Sequence, residues 1–372
     1  MSFVSDSNVN VSPCKDTETA TIYEYIKKDQ AQQALIKKVD DLFNTNNIKH
    51  ILLKGSRLKP LYKASYMRGM GELLIDFIPN EKGLKLSDVS GFSKYPGGAP
   101  ANVCVAGKKS GVDSYFLGQV GKDSFGDFLK AELKSFHVHT TYLNQTDRAN
   151  TALAFVSLTK DGERDFIFYR NPSADQPYNT SQVPTSILKD AIFHFCSVSL
   201  CDYPVKNAHL KALKTVRKQN GFISFDPNLR LSLWSDLDAY KAVINEFIPY
   251  AYLLKVSSDE LEFITGSSDI IAALPKLFVH KVKYVIITKG NKGADFYYKD
   301  GKKVHQPGLK VDVVDTTGAG DAFIGSFLAE MSKCDLDFSQ KNVEQALLVS
   351  NKKAALTTTK PGGMSAIPMD IK

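Results

Sequence analysis

From residue 113 onward the chain alternates two textures, and no other feature restricts its fold as strongly. Short apolar, β-rich runs ("DSYFLGQV", "AIFHFCSV", "GFISFDP", "AYLLKVS", "VKYVIIT") are separated by stretches with helical spacing ("DSFGDFLKAELKSF", "NAHLKALKTVRKQN", "DAYKAVINEFI"). Successive β–α–β units bury both kinds of apolar surface when helices cover the two faces of a mostly parallel sheet. The predicted class is therefore α/β, in three layers. Two hairpin patterns interrupt the alternation, "TALAFVSLTKDGERDFIFYR" with Asp161-Gly162 at its turn and "GADFYYKDGKKVHQ" with Asp300-Gly301. Ligands of open α/β sheets bind beyond the carboxyl ends of the strands, so a hairpin placed there can cover a substrate.

Upstream, "MRGMGELLIDFIP" reads as one buried strand ending in a turn, which sets a domain boundary near Met67. Residues 1–66 then form an N-terminal extension and 67–372 the main domain. Ile22, Tyr25, Ile26, Ile36, Val39 and Phe43 predict one or two amphipathic helices between 17 and 50. The basic run Lys49, Lys54, Arg57, Lys59 and Lys63 reads as a solvated face. No apolar run suits a signal peptide or a membrane span, and early acids without arginine disfavour a transit peptide, so a cytoplasmic protein without membrane contact is expected.

The net charge of +7, from 47 basic against 40 acidic residues, is mild for this length and gives no reason to expect nucleic acid. Cys14, Cys104, Cys196, Cys201 and Cys334 form neither a CxxC pair nor an even framework, in keeping with a reducing compartment. His137 and His139 alternate along a probable strand and read as surface or packing residues. Neither GxxxxGK[ST] nor a complete GxGxxG occurs, so P-loop and dinucleotide readings lack support.

Three motifs carry chemistry. In "VVDTTGAGDAF" a β-run stops at Asp315, Gly318 and Gly320 permit a tight bend, and a helix follows. Backbone N–H groups and the helix dipole at such an end suit a phosphate. Asp321 would repel a static phosphate, so it belongs there if it accepts a proton from an attacking hydroxyl; its other reading is a helix cap. In "GGAPANVCVAGKKSG" paired glycines precede Pro100 and a helix start, with Asn102 in the first turn. In "GELLIDF" Asp76 ends a strand, where a carboxylate can accept two sugar hydroxyls.

"GGAPAN" followed far downstream by "DTTGAGDAF" resembles the paired signatures of the PfkB or ribokinase-like carbohydrate kinases. The similarity runs through "GQVGKDSFGDFL", "FYRNPSAD", "DPNLRLSLW" and "LKVSSDELEFITG" to "NKKAALTTTKPGGMSAIP", and is strongest to fructokinases. It implies a ribokinase-like three-layer fold with a small β lid built from about 77–96 and 151–172. The implied activity is transfer of the ATP γ-phosphoryl to fructose with Mg²⁺, giving the 6-phosphate. Asp321 would be the base and Thr317, Gly318, Ala319 and Gly320 the anion hole. Asp76, Gly97, Gly98, Asn102 and Arg170 would meet the sugar, with Asp175 of the same segment as a further candidate. Asn228, Arg230, Lys255, Glu260, Thr288, Gly290 and Asn351 would serve the nucleotide. Asp315 and Thr317 would hold a monovalent cation, making K⁺ an activator, and a homodimer is implied.

The family's Asn-x-x-Glu motif is "SSDE" here, with Ser257 in place of asparagine. Ala99 stands where ribose-specific members carry lysine, which argues against ribose. Aminoimidazole riboside is the competing substrate, and a non-catalytic sugar-sensing scaffold is the competing class.

Overall fold

The computed structural model describes residues 66–81, 83–158 and 164–369. The helices expected at 17–50, the basic run after them and the Asp161-Gly162 turn lie outside those residues. The described chain forms β1 Met67–Met70, β2 Leu74–Pro79, β3 Phe92–Gly97, α1 Ala99–Lys109, β4 Ser114–Gly121, α2 Ser124–Ser135, β5 Leu143–Thr146, β6 Leu153–Leu158 and β7 Arg164–Tyr169. It continues through β8 Ile192–Cys196, α3 Pro204–Lys218, β9 Phe222–Asp226, α4 Leu237–Phe247, β10 Leu253–Ser257, α5 Ser258–Thr265, α6 Ile270–Leu277 and β11 Tyr284–Thr288. The last elements are β12 Ala294–Tyr298, β13 Lys303–Gln306, α7 Ala319–Lys333, α8 Gln340–Thr357 and α9 Gly363–Ala366.

A nine-stranded sheet runs in the order β13-β12-β11-β10-β9-β8-β1-β4-β5. Strands β11 through β5 pair in parallel, and β12 and β13 turn back antiparallel at one edge around Gly301, whose φ is +90°. The period-two geometry of a strand explains the continuous apolar runs. Along β10 and β11, Leu253 and Ile286 face one helical layer, while Leu254, Val285 and Ile287 face the other. Helices α1, α7 and α8 cover the first face and α3, α4, α5 and α6 the second. Each large apolar side chain so buried contributes about 1.5–3 kcal/mol.

"MRGMGELLIDFIP" is two strands rather than one. Met67–Met70 pairs with β4 and β8 in the large sheet, whereas Leu74–Pro79 pairs with β3 and β6 in a separate four-stranded sheet ordered β3-β2-β6-β7. The apolar pattern is continuous across the break because both strands are buried, so it carries no mark of the change of sheet. Asp76 accordingly lies inside β2, opposite Tyr95 and Ala154, not at a strand end. The β-run expected before Asp315 is also absent. Val313 and Val314 are exposed in a loop, where the N–H groups of Val314 and Asp315 donate to the Thr358 carbonyl at 2.8 and 3.1 Å instead of to a strand.

Strand β1 lies between β4 and β8, so the chain leaves it in both directions along the sheet. Such a switch point opens a crevice at the carboxyl ends of the strands. Here the second sheet and the start of α7 border that crevice.

Candidate active site

The α7 helix begins without a side-chain cap, its N-cap being Gly318 at φ +76°. A Cβ on Gly318 would lie 2.8 Å from Gly363 Cα, so glycine is required for space as well as conformation. Asp321, in the first turn and 4% exposed, does not cap its own helix. Its Oδ2 accepts from Asn102 Nδ2 at 2.7 Å and its Oδ1 from Asn228 Nδ2 at 2.9 Å. The capping reading of the sequence is thereby excluded. Burial raises the Asp321 carboxyl above its usual range, while the Asn102 hydrogen bond and the Lys255 charge pull it down.

Asn102 comes from α1, whose N-cap Gly98 has φ +111°. A Cβ there would approach Glu72 O to 2.4 Å. Gly97 serves a different purpose from the one expected: its missing Cβ leaves room for Asp76, whose Oδ2 would otherwise be 2.1 Å away. Asn102 Oδ1 is buried without a hydrogen-bond partner, an acceptor left unused within the protein.

On the opposite wall Asn228 adopts φ +47°, and Arg230 Nη1 donates to its Oδ1 at 2.6 Å. Lys255 Nζ, buried on β10, donates to Asp226 Oδ2 at 2.7 Å and lies 3.1 Å from where a Cβ of Gly320 would be. Burial acts to lower the lysine's pKa, and the charges of Asp226 and Glu260 outweigh it, so the ammonium is held above its ordinary value. Burial pushes Asp226 up in turn. A protonated lysine beside a bare helix start is an anion site.

These groups converge on a cleft of about 180 Å³. Its polar wall includes Glu72, Asp76, Gly98, Asn102, Asn228 and Asp321. Leu74, Ile78, Val156 and Phe168 of the four-stranded sheet close it on the apolar side. Arg230, Lys255, Thr316, Thr317, Gly318 and Gly320 form the cationic and backbone side. Ala319 is the first residue of α7, within the same turn.

Other expected residues lie elsewhere. Arg170 does not line the cleft: it is buried, donates from Nη1 to Val198 O at 3.0 Å and pairs with Asp175. Glu260 is a clasp, its Oε1 accepting from Leu229 N at 2.7 Å and its Oε2 from Ser257 N at 2.8 Å. Ser257 returns the bond as N-cap of α5, so serine here closes a capping box. Asn351 Nδ2 donates to the carbonyls of Gln306 and Pro307, next to the loop carrying Thr288 and Gly290, where a Cβ on Gly293 would meet Gln306 O at 2.1 Å. Gly290 faces open space.

Asp315 shapes the anion turn, its Oδ1 accepting from the N–H and hydroxyl of Thr317 and its Oδ2 from Gly362 N. A buried carboxylate beside a hydroxyl is the all-oxygen chemistry that a hard monovalent cation takes, so these residues fit one. Among the described residues no three His, Cys, Asp or Glu side chains cluster as a metal cage. Glu72 and Asp226 were not singled out from sequence. Asp226 is an acid ending an apolar strand and Glu72 an acid inside an apolar run, and a charge in such surroundings is their signal in the sequence.

No helix of the described residues is long and apolar enough to cross a membrane. Residues 69–370 match the pfkB family carbohydrate kinases. The chain is 42% identical over 312 residues to probable fructokinase-6, chloroplastic, of Arabidopsis thaliana, covering 82% of this chain and 80% of the relative. It is 42% identical over 301 residues to fructokinase-2 of Zea mays, covering 80% and 90%. Among solved structures, a fructokinase from Vibrio cholerae O395 in its fructose, ADP and calcium ion bound form superposes with a TM-score of 0.76 at 33% identity, covering 82% and 97%. An aminoimidazole riboside kinase from Salmonella enterica, complexed with aminoimidazole riboside and an ATP analog, gives 0.73 at 30%, covering 82% and 96%. With its ribokinase-like three-layer fold and a cleft joining both of its signature motifs, the chain belongs to the pfkB family of carbohydrate kinases.

Proposed function

We propose that the protein is an ATP-dependent fructokinase, converting D-fructose and ATP to fructose 6-phosphate and ADP. One observation carries the reading: Asp321, held by two asparagine amides, shares a helix turn with a lysine-backed anion site. Asp76, Gly98 and Asn102 bind sugar hydroxyls, with the unused Asn102 Oδ1 accepting one of them. Asp321 takes the proton of the primary hydroxyl as that oxygen attacks the γ-phosphorus in line, and the β–γ bridging oxygen leaves with ADP. Lys255, Arg230 and the backbone from Thr317 to Gly320 hold the transferring phosphoryl. Thr288, Gly290 and Asn351 border the rest of the nucleotide, and the Glu260 clasp fixes Asn228 and Arg230 in register. Asp315 and Thr317 are the residues that would hold a monovalent cation such as K⁺ beside the anion turn, and Mg²⁺ bound with ATP would supply neutralisation of phosphate charge.

The cleft is smaller than the roughly 300–1,000 Å³ of drug-sized pockets, which favours a monosaccharide over a riboside carrying a heteroaromatic base. The test is ADP release with Mg·ATP across fructose, glucose, mannose, ribose and aminoimidazole riboside, in potassium and in sodium buffer. Fructose turnover is expected to exceed the others and to be higher in potassium. Dominant turnover of the riboside would overturn the fructose assignment.

We propose a homodimer joined through the outer face of the four-stranded sheet, where Ile167 and Tyr169 of β7 are exposed at 45% and 62%. We place the protein in the cytoplasm, with its described cysteines free. A tagged full-length chain found in plastids would overturn that placement.

Asn102 makes a pH prediction. Its hydrogen bond favours the ionised Asp321, so Asn102→Ala raises the carboxyl further. The base is active when deprotonated, so activity is lost as pH falls through its pKa. The acid limb of kcat/KM is expected to move to higher pH in the variant, alongside a raised fructose KM. An unmoved limb would show that Asp321 is not the titrating base.

A further inference from the structure

The backbone passes between the large sheet and the four-stranded sheet at several points, and three of them meet at one side chain. The β1–β2 crossing contains Glu72 itself, 2% exposed. At the β3–α1 crossing, Ala99 N donates to Glu72 Oε1 at 3.2 Å, and Gly98 lies against the Glu72 carbonyl. After β7 the chain reaches Arg170, whose charge acts on the Glu72 carboxyl and whose Nη1 donates to Val198 O. Ser199, beside Val198 in the 3₁₀ turn after β8, completes the set by donating its hydroxyl to Glu72 Oε2 at 2.9 Å.

Neither the base nor the anion hole uses this carboxylate, yet it borders the sugar cleft together with Gly98, Ala99 and Val198. A buried acid is retained when its hydrogen bonds and a nearby cation offset the loss of water. Here those bonds join the β1–β2 and β3–α1 crossings to the core beside β8, and the Arg170 charge reaches the same carboxylate from the end of β7.

We propose that Glu72 is a positioning residue that fixes the four-stranded sheet over the sugar, setting sugar affinity without entering the chemistry. The apolar wall (Leu74, Ile78, Val156, Phe168) and Asp76 ride together on β2, β6 and β7, so their height above Asn102 and Asp321 of the core depends on how these crossings are tied. The proposal rests on the sugar-kinase reading for its second readout only.

Glu72→Ala tests it in the full-length protein, with Glu72→Gln as the conservative rescue and Ser199→Ala as an independent cut of the same tie. Amide hydrogen exchange without ligand is expected to quicken about tenfold in β2, β3, β6 and β7 of Glu72→Ala, with β8 to β11 unchanged. Fructose KM is expected to rise about tenfold while ATP KM stays within twofold. Glu72→Gln recovers most of both effects, and Ser199→Ala shows a smaller change in the same direction. Exchange that stays at the wild-type rate, or that rises equally in both sheets, overturns the proposal. So does selective exchange with an unchanged fructose KM. If Glu72→Ala does not fold, Ser199→Ala decides by the same criteria, read against the wild type. Absence of fructose turnover by the wild type counts against the fructokinase reading instead, because the exchange measurement needs no sugar.

Discussion

Asp321→Asn is expected to lower kcat by between about 100-fold and 10,000-fold, the range by which a positioned general base accelerates proton transfer. Fructose and ATP affinity should change little, because the amide preserves the shape of the carboxylate. Two donors now address Asp321, Asn102 Nδ2 and Asn228 Nδ2, and an asparagine at 321 can accept only one of them. The side chain of Asn102 can answer by rotating, since its Oδ1 has no partner within the protein, and its Nδ2 then meets the sugar hydroxyl as donor in place of the oxygen. The substitution also removes a charge that burial disfavours, so the melting temperature is expected to hold or rise. Lost turnover in a protein of undiminished stability that still binds both substrates is the signature of the base. Wild-type turnover in this variant would refute the mechanism.

Lys255→Met is expected to damage activity and stability together. It removes the cation behind the anion hole and leaves the fully buried Asp226 without its partner, while Asp226 Oδ1 already lacks one. Breaking one side of a buried pair costs about 3–5 kcal/mol, or about 6–10 °C in Tm at about 2 °C per kcal/mol. The double variant Asp226→Asn, Lys255→Met is expected to regain most of that stability and none of the turnover. A double variant as unstable as Lys255→Met would show that the lysine's packing matters more than its charge.

The sign of the pH dependence supplies a further check on the same pair. Burial raises Asp226 from 3.8 to about 7 in the folded protein. Between those values the native state holds more protons than the unfolded chain, so this group's contribution to stability falls as pH rises. Removing the Lys255 cation extends that window upward. The deficit of Lys255→Met, followed by denaturant titration, should therefore be smallest near pH 5 and grow toward pH 8.

Much of this molecule was legible before any coordinates. The β–α alternation, the Asp300-Gly301 hairpin, the helix start after Gly318 and the placement of Asn102 in a first turn are local properties. Spacing and backbone permissiveness encode them within a few residues. The resemblance of two short signatures supplied the chemistry that such local patterns cannot.

Tertiary structure decided the rest. Asn102 and Asp321 are 219 positions apart, and no periodicity announces their hydrogen bond. "MRGMGELLIDFIP" changes sheets without changing hydropathy, because both halves are buried against different partners. Arg170 turned from the cleft to Asp175, Glu260 became a clasp, and Glu72 and Asp226 proved to be buried acids with hydrogen-bond partners of their own. The sequence determined which backbone segments form and which faces they bury. Long-range packing alone decided which polar side chains lose water, and a charge deprived of water is governed by the nearest donor or countercharge, wherever in the chain that group originates.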